Sequence, residues 1–339
     1  MGLIKSKKAA QASDEVAQST AIESATAEAA PVEKKKAKRK IVTVSFILAN
    51  VLFIALIVVI AIPGKFKPST AVPFYVASVL MEALYLWRFF ANDRKPSTNY
   101  IAIVVWILLI VWELAATDLK FAHAVLVPAP ENVFAVFPRI YPELLRNVGS
   151  SLALLAMGFF SALIAGNIFG LFVGWLPKLR DTVYPIARVL APIPSMVFAP
   201  YLVAIMPTFR AAAVMAIFLG IFWPTLLNTI LRVGSMDRRI VESARMMGLS
   251  TPEIIFKVFL PYTYPAIVTG MKVQMATAML LLVMAEQYGA TAGMGYFVFI
   301  YANYGNYTNV VAGIICVGIV VTILDCLVSL LIKKTVKWS

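Results

Sequence analysis

The sequence predicts an all-α integral membrane protein, a polytopic helical bundle. Three observations carry that reading. The chain has 339 residues, 61% of them hydrophobic and only 14% charged, where soluble domains are roughly 45–50% apolar and about 25% charged. Its mean hydropathy is +0.84. Apolar runs close to the length of about 20 residues that a helix needs to cross a bilayer recur along it. The net charge of +13 gathers in the N-terminal stretch, a few loops and the C-terminus. Such clusters beside apolar runs set orientation in a membrane, so the expected surroundings are the lipid bilayer, with no nucleic-acid partner.

Residues 1–40 are rich in Ala, Glu and Lys, lack aromatics and end in EKKKAKRK. They read as a disordered basic cytoplasmic tail. The start MGLIKS fits the myristoylation pattern at Gly2, a pattern short enough to arise by chance. No small-residue cleavage site follows, so a cleaved signal peptide is not expected. Spans are expected near 41–62, 73–91, 99–116, 149–176, 184–206, 211–232, 263–286 and 309–332, about eight in all. The second carries Glu82 and Arg88, and prolines break the fifth. Lys and Arg concentrate in alternate loops, from Arg88, Arg94 and Lys95 to Lys333, Lys334 and Lys337. The intervening loops hold fewer, among them Arg146 and Arg210. This bias puts both termini in the cytoplasm of a multi-pass protein.

The loop at 237–261 is charged where its flanks are apolar. Asp237 is placed to cap a helix. Ile240, Val241, Ala244 and Met247 then share one face, opposite Arg238, Arg239, Glu242 and Arg245. Gly248 stands where a C-terminal glycine stops a helix. Ser250 to Glu253 fits a capping box with Pro252 in the first turn. Two short helices joined by a glycine elbow are expected, the second ending at Pro261. On physics alone they either lie on the membrane surface or face a partner.

Within the spans, Gly166, Gly170 and Gly174 continue a row from Gly158 and Ala162. Such rows let helices pack closely; the expected neighbour is a span of the same chain, with a dimer seam as the alternative. Pro192, Pro194 and Pro200 break the fifth span around Ser195, and broken spans either line a transport path or kink for packing. Glu286 precedes a glycine turn and either gates the pathway or caps a helix. Asp325 is expected to pair with Lys333 or a nearby Arg. Asn228, Gln274 and Thr277 are further polar candidates for the pathway. Cys316 and Cys326, about 15 Å apart on one helix, are too far apart for a disulfide and read as buried packing residues. The one histidine, His123, has no neighbours at a metal-ligand spacing, so no metal site is expected.

The stretch VESARMMGLSTPEIIFKVFLP, 241–261, resembles the EAA loop of ATP-binding-cassette (ABC) importer permeases, with Ser243 in place of the family's first alanine. LVPAPENVF, PIPSMVFAPYLV and AEQYGATAGMGYFV resemble segments of the nitrate/sulfonate/taurine-type permeases. The chain has IMPTFR where those relatives often have a Trp/Phe-Gly pair. The resemblance covers roughly 99–335. It implies a type I ABC importer permease (MetI-like) core of about six helices, preceded by two extra N-terminal transmembrane helices at 41–98. It further implies that Glu242, Ser243, Ala244, Met247, Gly248, Ile255, Leu260 and Pro261 couple to a cytoplasmic ATPase. The partners implied are two ATPase copies, an extracytoplasmic solute-binding protein and a second permease copy, in the plasma (inner) membrane. The implied solute is a small anion such as nitrate, a sulfonate or taurine. The sequence has no Gly-x4-Gly-Lys-Ser/Thr phosphate loop. The chain is therefore expected to be no enzyme and to bind no cofactor, with ATP and Mg handled by the partner. An ion-gradient-driven secondary transporter is the alternative; it calls for inverted repeats and midplane carboxylates, and no such repeat is evident.

Overall fold

The computed structural model describes residues 43–62, 71–91, 96–117 and 126–335. The basic tail with its candidate myristoylation site, and His123, lie outside them. Among the described residues all regular structure is helical. Seven helices are long and apolar enough to cross a membrane, or eight if one bent pair counts as a span.

The chain divides into two compact units at Ala135/Val136. In the first, α1 (Thr43–Ala61), α2 (Val72–Ala91) and α3 (Pro96–Thr117) pack around Leu56, Phe74, Tyr85, Phe89 and Trp106. Phe46 stacks on Phe89 at 4.9 Å. A polar relay ties all three helices together: Tyr85 donates to Asn99 Oδ1 (3.0 Å), and Asn99 Nδ2 donates to Ser45 Oγ (2.8 Å). Away from water such bonds have no solvent competitor, so they fix the register of the three helices.

The second unit holds most of α4 (Pro130–Trp175), then α5 (Pro177–Leu190), α6 (Ala199–Ile205), α7 (Phe209–Gly234) and α8 (Arg238–Met246). They are followed by α9 (Thr251–Glu253), α10 (Leu260–Ala285), α11 (Met294–Asn303) and α12 (Tyr307–Thr335). Its core joins Phe159, Ala162, Ile217, Ile221, Leu282 and Met294.

Several expectations need correction. The span expected at 149–176 is only the latter part of α4, whose 46 residues extend about 69 Å, more than twice a bilayer core. Pro138 and Pro142 lie inside it without ending it; Pro130 opens the helix where a missing N–H is harmless, and helix on both sides carries it through. The span expected at 184–206 is broken by prolines as anticipated, but starts earlier: it is a pair of helices, Pro177–Leu190 and Ser195–Ile205, bent by 83°. Pro194 is extended (ψ 119°) between Pro192 and Ser195, and a proline also pushes the residue before it out of helix. The second loop helix does not stop at Pro261. Helix runs unbroken from Thr251 to Tyr288. A widened π-helical turn at Ile254–Phe259, just before the proline, absorbs the hydrogen bond Pro261 cannot make. Asp325 pairs with Lys272 Nζ at 3.1 Å, not with Lys333 or an arginine; Lys333 is eight residues along the same helix, about 12 Å away, whereas α10 packs beside α12. Cys326 is exposed, and only Cys316 is partly buried.

Candidate functional site

The elbow is built by local chemistry. Arg239 N–H donates to the Asp237 carboxylate at 2.9 Å and starts α8. Gly248 adopts φ +75°, and Leu249 N–H closes back on Ala244 C=O at 3.2 Å, the bond that ends a helix with a left-handed residue. Ser250 N–H then donates to Glu253 Oε2 at 3.0 Å in a complete capping box. One face of the elbow is held by the protein's own body. Ala244, Ile254, Ile255 and Phe259 are buried with Leu171 and Val233. Trp175 packs on Phe259 at 5.3 Å, and the Arg245 guanidinium lies 5.1 Å over the Trp175 ring, a cation–π contact worth about 0.5–1 kcal/mol. The other face is open: Met246 is 83% exposed and Met247 73%. Glu242, Ser243 and Gly248 are exposed as well.

Above the elbow, the glycine row of α4 lies on α7. A Cβ at Gly158, Gly166, Gly170 or Gly174 would meet the Cβ of Ile217, Thr225, Thr229 or Val233 at 2.6–2.8 Å. The backbones therefore approach more closely than any side chain permits, as in small-residue membrane seams. Between them runs a polar layer. Thr229 Oγ1 donates to Asn167 Oδ1 (2.9 Å), Asn167 Nδ2 to Leu163 C=O (2.7 Å), and Gln274 Nε2 to Thr225 Oγ1 (2.9 Å). These side chains, with Asn228 and Arg232, line a cavity of about 140 Å³ bordered by Gly270 and Val273 of α10.

The end of the unit away from α8 carries a lock. Glu286 is buried; Ser151 Oγ of α4 donates to its Oε1 (2.5 Å), and Gly295 N–H to its Oε2 (2.7 Å). Gly293 N–H donates to Asn147 Oδ1 (2.8 Å), and Met294 N–H to Ser151 Oγ (2.8 Å). Gly293 has φ +146°, and an added Cβ would overlap the Glu286 carboxylate. Beside this lock lies a second cavity of about 360 Å³, lined by Arg146, Ser150, Arg210 and Thr291 among others.

The seven residues expected on a pathway do not form one site. Asn228 and Gln274 share the inner cavity. Pro192 and Pro194 sit exposed at the bend. Ser195 is buried, its hydroxyl where a Cβ on Gly220 would fall. Thr277 lies on an exposed face of α10, and Glu286 lines neither cavity. Of the elbow residues, Ile255 is buried, Leu260 partly so, and Pro261 exposed. Sequence reasoning missed Asn167, Thr225, Thr229 and Arg232. Thr225, Asn228, Thr229 and Arg232 recur at helical spacing in an otherwise apolar span, a polar stripe that could have revealed them.

Comparison with known proteins fits this architecture. Residues 166–337 match the family described as binding-protein-dependent transport system inner membrane component. The nitrate import permease protein NrtB of Leptolyngbya laminosa is 29% identical over 241 residues, 69% of this chain and 86% of that protein. The taurine transport system permease protein TauC of Escherichia coli K12 is 26% identical, covering 68% of this chain and 86% of that one. A chain of the MetNI methionine ABC transporter in an inward-facing conformation aligns with TM-score 0.51 at 22% identity, over 58% of this chain and 97% of that one. A bacterial ABC transporter for alginate import aligns with TM-score 0.53 at 12% identity, over 76% and 99%. With a matched segment that contains most of the glycine seam, the elbow and the polar cavity, the chain belongs to the family of binding-protein-dependent transport system inner membrane components, and is a multi-pass permease subunit of an ABC importer.

Proposed function

We propose that two copies of this chain enclose the pathway of an importer for a small anion, and that the exposed face of α8 docks into a separate cytoplasmic ATPase. The observation that carries the docking is the two-sided elbow: Ala244 is buried on the permease's own body while Met246 and Met247 stand out from it. Exposed methionines beside a buried anchor suit a groove on a partner. In this reading Glu242, Ser243, Ala244, Met247, Gly248, Ile255, Leu260 and Pro261 transmit the ATPase's motion. Both termini are cytoplasmic, ATP and Mg are handled by the partner, and an extracytoplasmic binding protein delivers the solute. The extra N-terminal helices at 41–98 are accessory to a transport core of 99–335, and α3 packs with them. An anionic solute is supported by relatives named for nitrate and taurine.

The test is co-purification and reconstitution. The chain should bring down an ATPase subunit, and Glu242→Lys should release it. Proteoliposomes holding the complex with its binding protein should take up nitrate, a sulfonate or taurine only when ATP is supplied. Uptake driven by an ion gradient with no ATPase present would overturn the reading in favour of a secondary transporter.

A further inference from the structure

We propose that the cavity between α4, α7 and α10 is an oxyanion site, with Arg232 as its charge-selecting residue. The inference deepens the anion-import reading and rests on it. Internal hydrogen bonds of the lining occupy two of its acceptors and leave the Arg232 guanidinium without an internal partner among the described residues. Asn167 Oδ1 accepts from Thr229, Thr225 Oγ1 accepts from Gln274, and Thr225 itself donates to Ile221 C=O. Among the described residues, the Arg232 guanidinium and the Asn228 side-chain amide line the cavity without an internal hydrogen bond, and Gln274 keeps its second N–H and its amide oxygen. No carboxylate lines the space. Arg232 is only partly exposed, has no ion-pair partner among the described residues, and reaches across from α7 toward Gly270 of α10. A part-buried guanidinium with spare donors around it attracts an oxygen-bearing anion, which it can grip with two parallel bonds. It repels a cation. The cavity's volume of about 140 Å³ has room for nitrate or a sulfonate head group. A lipid phosphate offers the same oxygens, so the two sources must be separated by experiment.

Val273 lines the cavity and is 72% exposed, so a cysteine there reports on its field. In the Cys316→Ala/Cys326→Ala background, the Val273→Cys permease is assembled with its ATPase in nanodiscs of zwitterionic lipid. Rates of modification by an anionic and a cationic methanethiosulfonate reagent are compared. With Arg232 present the anionic reagent should react faster, and nitrate or methanesulfonate should protect the cysteine. Arg232→Gln should lower the anionic-to-cationic rate ratio about tenfold, equivalent to about 1.4 kcal/mol, and abolish protection; Arg232→Lys should restore most of the ratio. A ratio is insensitive to partial misfolding, since both reagents meet the same protein. An unchanged ratio in Arg232→Gln overturns the site while leaving ATP-driven anion uptake to stand. Loss of uptake of every anion by the unsubstituted transporter, with the ratio effect intact, overturns the import reading and not the site. If protection comes only from added phosphatidylglycerol and never from nitrate or methanesulfonate, the occupant is a lipid and the proposal fails.

Discussion

Gly149 and Gly170 lie on the same helix, and replacing each by alanine separates helix propensity from packing. At Gly149 nothing lies within 4 Å of an added Cβ, so Gly149→Ala only removes backbone freedom and should stabilise by about 0.5–1 kcal/mol. At Gly170 the same atom would sit 2.6 Å from Thr229 Cβ, 2.9 Å from its Cγ2 and 3.1 Å from the Leu226 carbonyl oxygen. Carbon atoms settle at about 3.5–4.0 Å, so α7 must retreat by roughly 1 Å. Overpacking of that size destabilises by about 1–3 kcal/mol, and the retreat also stretches the Thr229–Asn167 bond of the polar layer. Once the propensity gain is subtracted, Gly170→Ala should lose up to about 2.5 kcal/mol while Gly149→Ala gains. Reversible unfolding in mixed micelles with increasing SDS measures both. Equal effects of the two substitutions would refute the close α4–α7 seam.

Glu286→Gln leaves one acceptor oxygen where Ser151 and Gly295 each donate to a different one, and it turns an amide N–H₂ against a donor. It should destabilise by about 1–3 kcal/mol in the same micelle titration; no loss would mean the turn is held by other bonds. An added Cβ at Gly248 meets nothing within 4 Å, so the penalty of Gly248→Ala is that of the φ +75° backbone, about 1–2 kcal/mol. Faster hydrogen exchange at Leu249 should report it, with Gly248→Asn affected far less, and equal exchange in the two variants would discount the strain. Lys272→Met removes a half-exposed partner of Asp325 and should cost less than about 1 kcal/mol. A loss above about 2 kcal/mol would place that pair in a low-dielectric environment instead.

What could be read in the sequence was what neighbours along the chain decide. Asp237, Gly248 and the Ser250–Glu253 box act within four residues of themselves, so the elbow was visible before any tertiary contact was known. The apolar runs likewise marked most of the helices long enough to span. Glu286 is the opposite case: its Ser151 partner is 135 residues away, and nothing local distinguishes a gate from a lock. Prolines did not all act alike, and Pro261 misled. Pro138 and Pro142 were absorbed into α4, and Pro261 was passed by a widened turn, while Pro192 and Pro194 together produced a sharp bend. A single proline removes one donor, whereas a second proline two residues on forces the residue between them out of helix as well. Arg232 was legible only as a positive charge near a span end; that it faces spare amides is a consequence of how α7 and α10 meet.

The uninterrupted run from Thr251 to Tyr288 has a consequence for how fast and how faithfully the two ends of the molecule communicate. Its 38 residues form a shaft about 57 Å long, with the elbow at one tip and the Glu286 latch at the other. Moving as one body, the shaft would swing its tips by about 5 Å relative to each other for a tilt of about 5°. A shaft that moved this way would carry a push on the elbow to the Glu286 latch in a single stroke.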